Sequence, residues 1–108
     1  INAIGSFTPD ARELDDSTIL RAKIVVDSLD AALAEAGDLL IPMRAGIFQR
    51  NQIHAELGEI IAGRKKAREN DLEITVFKSV GLGIQDAAVA RLAYVKATRM
   101  GIGDKIEL

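Results

Sequence analysis

Apolar residues along the chain gather into four short clusters, at residues 1–4 (INAI), 24–26 (IVV), 39–41 (LLI) and 74–77 (ITVF). Two are unbroken, and two carry one polar residue each, Asn2 and Thr75. Short apolar runs without alternation mark strands buried on both faces, as in a parallel sheet covered by helices. The stretches between them have helical spacing and helical punctuation. Asp15, Asp16 or Ser17 is placed to cap a short helix through Ala22, with acidic residues at its positive end. Asp27 or Ser28 caps a second helix over 29–36, with Gly37 in the position that ends helices. A third starts at Asn51, sets Ile53, Leu57, Ile60 and Ile61 on one face, and stops at Gly63. The last runs from about Gln85 to Arg99 and is apolar on most of its circumference, which predicts packing against more than one element. Strands alternating with helices give an α/β fold with right-handed crossovers.

Composition removes classes rather than naming one. The 108 residues suit one small domain, and 48% hydrophobic with 28% charged residues is ordinary globular composition. With no cysteine, disulfide scaffolds and cysteine-ligated metals are excluded. Fourteen basic against sixteen acidic residues leave a net charge of −2, so no basic field exists to gather nucleic acid or anionic lipid. No apolar run approaches the roughly 20 residues of a membrane span, and no basic leader of a signal peptide precedes the apolar start. A chain that opens inside the apolar INAIG has the look of a piece cut from a longer protein. Residues 63–72 (GRKKARENDL) form a polar connection in which Glu69, Asp71 and Glu73 cancel most of the field of Arg64, Lys65 and Lys66.

Three constellations carry candidate chemistry. The turn Gly81-Leu82-Gly83-Ile84-Gln85-Asp86 follows a strand and opens a helix, the context of a phosphate-binding loop. Asp86 stands where the third glycine belongs, and its carboxylate suits the helix N-terminus better than a pyrophosphate. His54, the one histidine, lies on the third helix with Gly58 one turn on, so no metal-ligand pair forms there. Asp27, Gly5 with Ser6, and Lys78 with Ser79 follow three strands at their carboxyl ends, the edge that lines the ligand crevice in open α/β sheets. Each of these residues also serves as ordinary turn or cap chemistry.

The segments INAIG…TPDARELDD, IVVDSLDAAL…GDL, ELGEIIAG and VFKSVGLGIQDAAVARLAY resemble the ornithine cyclodeaminase/μ-crystallin family, in order and over nearly the whole chain. The resemblance implies a partial Rossmann-type, doubly wound, mainly parallel sheet with flanking helices. Residues 1–80 would be the C-terminal part of an NAD(P)-binding Rossmann domain. Residues 81–108 would be a long helix and tail returning toward a substrate and dimerisation domain. It also implies an NAD(P)-dependent, cytoplasmic, homodimeric oxidoreductase acting on a small amino acid, keto acid or cyclic imine. Neither nucleic acid nor membrane is expected as a partner. The family's glycine-rich nucleotide loop and its carboxylate-binding Arg and Lys would precede Ile1, leaving no catalytic residue in this chain. By the same resemblance Ile4, Gly5 and Ser79 lie beside NAD or NADP, and Ser6 and Phe7 belong to the substrate pocket.

One departure bears on the reaction. In ornithine cyclodeaminases the first segment resembles G-x-D-x-P-G-K, where the acidic residue acts on the substrate amine. Here Phe7 takes the acidic position and Ala11 the lysine position. A phenyl ring accepts no proton, so hydride transfer is favoured over cyclodeamination. A cyclodeaminase drawing its acid–base group from elsewhere is one alternative. A non-catalytic, μ-crystallin-like binder of nucleotide and an aromatic ligand stacked on Phe7 is the other. The first cluster, or a strand beside it, should present an uncovered sheet edge, so the 108 residues alone should self-associate and bind nucleotide weakly.

Overall fold

The apolar run at 74–77 becomes the strand around which the others assemble. The computed structural model describes residues 1–104 and 106. In chain order the strands are β1 (Asn2–Ala3), β2 (Ala22–Val26), β3 (Ile53–Glu56) and β4 (Ile74–Lys78). They form one sheet in the order β1-β4-β2-β3, with every neighbouring pair parallel. The α/β reading and the partial doubly wound sheet are therefore observed, with β1 at one edge as the open-edge expectation requires.

Three helices between β1 and β3 supply the packing layer: α1 (Asp16–Arg21), α2 (Leu29–Glu35) and α3 (Gly37–Arg44). The first two are capped where the sequence predicts. Asp15 accepts from the Thr18 amide at 2.8 Å, and Ser28 Oγ accepts from the Ala31 amide at 3.4 Å. Ile24, Val26 and Val76 of the sheet pack with Ile19, Ala32, Ala36, Leu39 and Phe48. Burying each large aliphatic side chain contributes about 1.5–3 kcal/mol. The opposite face carries Val25 and Phe77, which line a groove of about 220 Å³ with Ile1 and with Leu57 and Ile60 of α4 (Leu57–Ile61).

Two expected elements changed type. The cluster at 39–41 is not a strand but lies within α3. A three-residue apolar run does not distinguish a buried strand from a buried helix. Gly37 opens α3 instead of ending α2, and Ala36 alone joins the two helices. Glycine is required there because a Cβ would lie 2.1 Å from the Ala11 carbonyl oxygen and 2.6 Å from that of Thr8. The helix expected from Asn51 resolves into a 3₁₀ turn (Arg50–Gln52), strand β3 and the short α4. Pairing with the outer edge of β2 competes with helical spacing there and wins, since β3 satisfies backbone groups that β2 would otherwise expose. His54 is thus on an edge strand, not a helix. The last helix, α5 (Gly83–Met100), has Asp86 in its first turn as expected but buries none of its residues.

Candidate functional site

Strand register sets the site. Ala3 pairs with Lys78, Lys78 with Val26, and Val26 with Glu56, so four strand ends form one row across the sheet. The residues that follow, Ile4, Ser79 and Asp27, all leave the sheet at its carboxyl edge. This brings together the three strand ends that the sequence singles out.

Lys78 closes β4 on the face occupied by the core, because Val76 and Val26 point the same way. Its side chain is fully buried, and so is that of Asp38 in the first turn of α3. Lys78 Nζ donates to the Ser6 carbonyl (2.5 Å) and Ser6 Oγ (2.9 Å) and forms an ion pair with Asp38 Oδ2 at 2.8 Å. Ser6 Oγ in turn donates to Asp38 Oδ2 at 2.6 Å. The other carboxylate oxygen, Oδ1, accepts from the amides of Glu13 (2.7 Å) and Leu14 (2.8 Å). Burial pulls the Asp38 carboxyl upward, but hydrogen bonds from Lys78, Ser6, Leu14 and Glu13 outweigh it and hold the group below the usual carboxylate value. Glu13 Oε2 accepts from the Gly5 (2.8 Å) and Ser6 (3.2 Å) amides and lies 3.6 Å from Lys78 Nζ. Residues 5–14 therefore form a strap tied down at both ends.

Ser79, one residue on, faces away from that knot and enters a second one. Its hydroxyl donates to Asp27 Oδ2 at 2.6 Å, and the same oxygen accepts from the Val80 (3.0 Å) and Gly81 (3.2 Å) amides. Asp27 Oδ1 accepts from Ser28 N at 2.8 Å, which fixes the entry to α2. Gly81 turns the chain at φ +91, where a side chain would be strained. The approach to the glycine-rich turn before α5 thus spends the Val80 and Gly81 amides on Asp27.

Among the predicted residues, Ile4 (66% exposed), just before the strap, and Phe7 (63% exposed), on it, stand free, with exposed Gly5 between them in sequence. Ser6 and Ser79 are buried with both hydroxyls engaged, so they shape the edge rather than offer a free group. His54 lies outside this cluster, with Nε2 2.8 Å from the Lys66 carbonyl oxygen, and Lys65 Nζ donates to the His54 carbonyl at 2.7 Å. The basic loop thus laces itself to the edge strand. Among the described residues, no group of three or more His, Asp or Glu is arranged to hold a metal. Nor is any helix of those residues long and apolar enough to cross a membrane.

Asp38 and Glu13 escaped the sequence reading. A lysine closing an apolar strand signals that a buried carboxylate must exist somewhere. Choosing Asp38 among 16 acidic residues requires the fold.

A model of the ornithine cyclodeaminase/mu-crystallin family matches residues 1–101. Delta(1)-pyrroline-2-carboxylate reductase of Bacillus thuringiensis subsp. konkukian (strain 97-27) is 56% identical over 108 residues, covering 99% of this chain and 33% of that protein. The structure of Thermococcus litoralis Delta(1)-pyrroline-2-carboxylate reductase in complex with NADH and L-proline superposes with a TM-score of 0.86 at 54% identity, over 98% of this chain and 33% of that one. An archaeal alanine dehydrogenase dimer with bound NAD gives a TM-score of 0.80 at 44% identity, over 100% and 33% of the two chains. The chain spans about a third of the length of these relatives.

Proposed function

The chain belongs to the ornithine cyclodeaminase/mu-crystallin family, and from that premise we propose that it forms part of an NAD(P)-dependent oxidoreductase acting on a small amino acid, keto acid or cyclic imine. The observation that carries this reading is the likeness to the reductase holding NADH and L-proline, which extends over 98% of the chain. Residues 1–80 are assigned to the C-terminal part of the nucleotide-binding domain, and 81–108 to a helix and tail returning toward the substrate and dimerisation domain. Lys105, Glu107 and Leu108 of that tail lie outside the described residues. The dimeric alanine dehydrogenase supports a homodimer, and the activity class supports a cytoplasmic setting.

The residues at the carboxyl edge fit one end of such a nucleotide. Exposed Ile4 and Phe7 supply an apolar wall beside Gly5 and the Ser79 turn, suited to a flat nicotinamide and a small substrate. They do not fit the phosphates, since the Val80 and Gly81 amides are already taken by Asp27. The nicotinamide, when bound, supplies the hydride. This chain's part is to hold Ile4, Gly5 and Phe7 in place and to exclude water from that side. Phe7 offers no proton acceptor, which favours imine reduction over cyclodeamination.

Assaying the whole protein with reduced nicotinamide nucleotide tests this directly. Nucleotide oxidation is expected with pyrroline-2-carboxylate or with pyruvate plus ammonia. Silence on every imine and keto acid, together with conversion of ornithine to proline and ammonia, would overturn the reading. Tight nucleotide binding without any turnover would favour a non-catalytic binder.

A further inference from the structure

Lys78 has no contact with solvent, yet it sits one residue from the edge where ligands bind in this class of sheet. Packing alone does not explain it, because an apolar pair fills such a space as well as a buried ion pair or better. The arrangement of its contacts does. Every side-chain hydrogen bond that Lys78 and Asp38 make to backbone goes to the strap: the Ser6 carbonyl at one foot, the Glu13 and Leu14 amides at the other. Between those feet the Thr8 and Ala11 carbonyls rest against Gly37, on the same helix turn as Asp38. Ile4 and Phe7, the exposed apolar side chains at this edge, flank the first foot.

We propose that Lys78 and Asp38 are positioning residues, a single ion pair that sets where the strap at 5–14 stands and so fixes the wall formed by Ile4 and Phe7 against the substrate. The pair touches neither substrate nor nucleotide and acts through Ser6 and the strap backbone. This rests on the oxidoreductase reading of the edge. A displacement of the wall by about 1 Å is enough to change turnover strongly, while the wall meets only the nicotinamide end of the nucleotide, whose phosphates are held elsewhere.

The test compares Lys78→Met and Glu13→Ala with the wild type in the whole protein. Three quantities are read: amide hydrogen exchange, nucleotide Kd from nicotinamide fluorescence, and kcat and KM for pyrroline-2-carboxylate. In Lys78→Met the amides of Gly5, Ser6, Glu13 and Leu14 should exchange at least about tenfold faster relative to β2, and kcat/KM should fall about tenfold or more. Nucleotide Kd should stay within about threefold of wild type, which separates a misplaced wall from general loss of structure. Glu13→Ala removes the tie to the Gly5 and Ser6 amides and the 3.6 Å contact with Lys78 but leaves the Lys78–Asp38 pair in place, so it serves if Lys78→Met does not fold. It should give the same split at smaller size.

Unchanged exchange at 5–14 in a folded Lys78→Met protein would overturn the proposal. So would faster exchange with kcat/KM unaltered in either variant, or a Kd that weakens in step with kcat/KM. A wild-type protein inactive on every imine and keto acid defeats the oxidoreductase reading on its own. The exchange results then still decide whether the ion pair holds the strap.

Discussion

Two lysine–carboxylate clusters stand at opposite ends of the same sheet, and they do different work. At the amino end, Lys23 of β2 donates to Glu73 (3.0 and 3.1 Å), to Glu69 (3.2 Å) and to the Ala67 carbonyl (3.2 Å). At the carboxyl end, Lys78 meets Asp38 at 2.8 Å. The distances are alike, but the surroundings are not. Glu69 keeps about half of its side chain in water, and Lys23 and Glu73 keep a smaller part, whereas both Lys78 and Asp38 are wholly enclosed. The first cluster fastens a polar loop that solvent could hold nearly as well. The second has no solvent to fall back on, so losing either partner leaves a bare charge inside the core. Geometry alone does not measure an ion pair; enclosure does.

Lys78→Met should therefore show the largest effect, a loss of about 3–5 kcal/mol in chemical denaturation of the whole protein. A loss under about 1 kcal/mol would place the pair with the surface cluster and erase the contrast. Gly37→Ala comes next at about 2–3 kcal/mol, because the new Cβ drives into the Ala11 and Thr8 carbonyls and must lift the strap or tilt α3. Asp27→Ala, at about 1–3 kcal/mol, releases the Val80 and Gly81 amides and the Ser79 hydroxyl together. Its damage should appear as faster amide exchange at 79–81, with the strap at 5–14 spared.

Acid sharpens the same comparison. The Asp38 carboxyl is a stronger acid in the fold than in the open chain, so the unfolded form takes up its proton first as pH falls. Its contribution is complete above about pH 4 and is lost below that. An acid melt of Asp38→Asn should be flatter than that of wild type across this range. Lys23→Met should give the smallest effect of the set. At the amino end the Glu73 hydrogen bond raises the Lys23 pKa against the pull of burial, and the Glu69 amide and Lys23 lower that of Glu73. Salt should shrink the Lys23→Met effect while leaving that of Lys78→Met nearly untouched.

How far the sequence was legible follows local versus distant causes. Asp15 and Ser28 announce their helices because a cap acts within three residues. The runs at 24–26 and 74–77 announce strands because apolar β-branched residues dominate them. Residues 39–41 and 51–56 misled for the reverse reason. Leu39 is helical because Asp38 must face Lys78, 40 positions away, and Ile53 is extended because β2 needs a partner. At the site, Asp27, Ser6, Lys78 and Ser79 were visible as polar residues after strands. That they divide into two knots on opposite sides of one strand was not, since only the register decides it. The resemblance to a known family implied a nucleotide-side wall at this edge, which spacing alone left open.

The row Ala3, Lys78, Val26 and Glu56 makes β4 a counting device. Consecutive side chains along a strand alternate in parity, so Lys78 and Ser79 can serve two knots only while Lys78 stands an even number of positions after Val76. Losing or gaining one residue within 74–78 would exchange the faces of both at once. The ammonium would be delivered to the groove beside Phe77 and the serine to Asp38. Point substitutions along β4 can be graded by size and polarity, but a change of length there has no mild form.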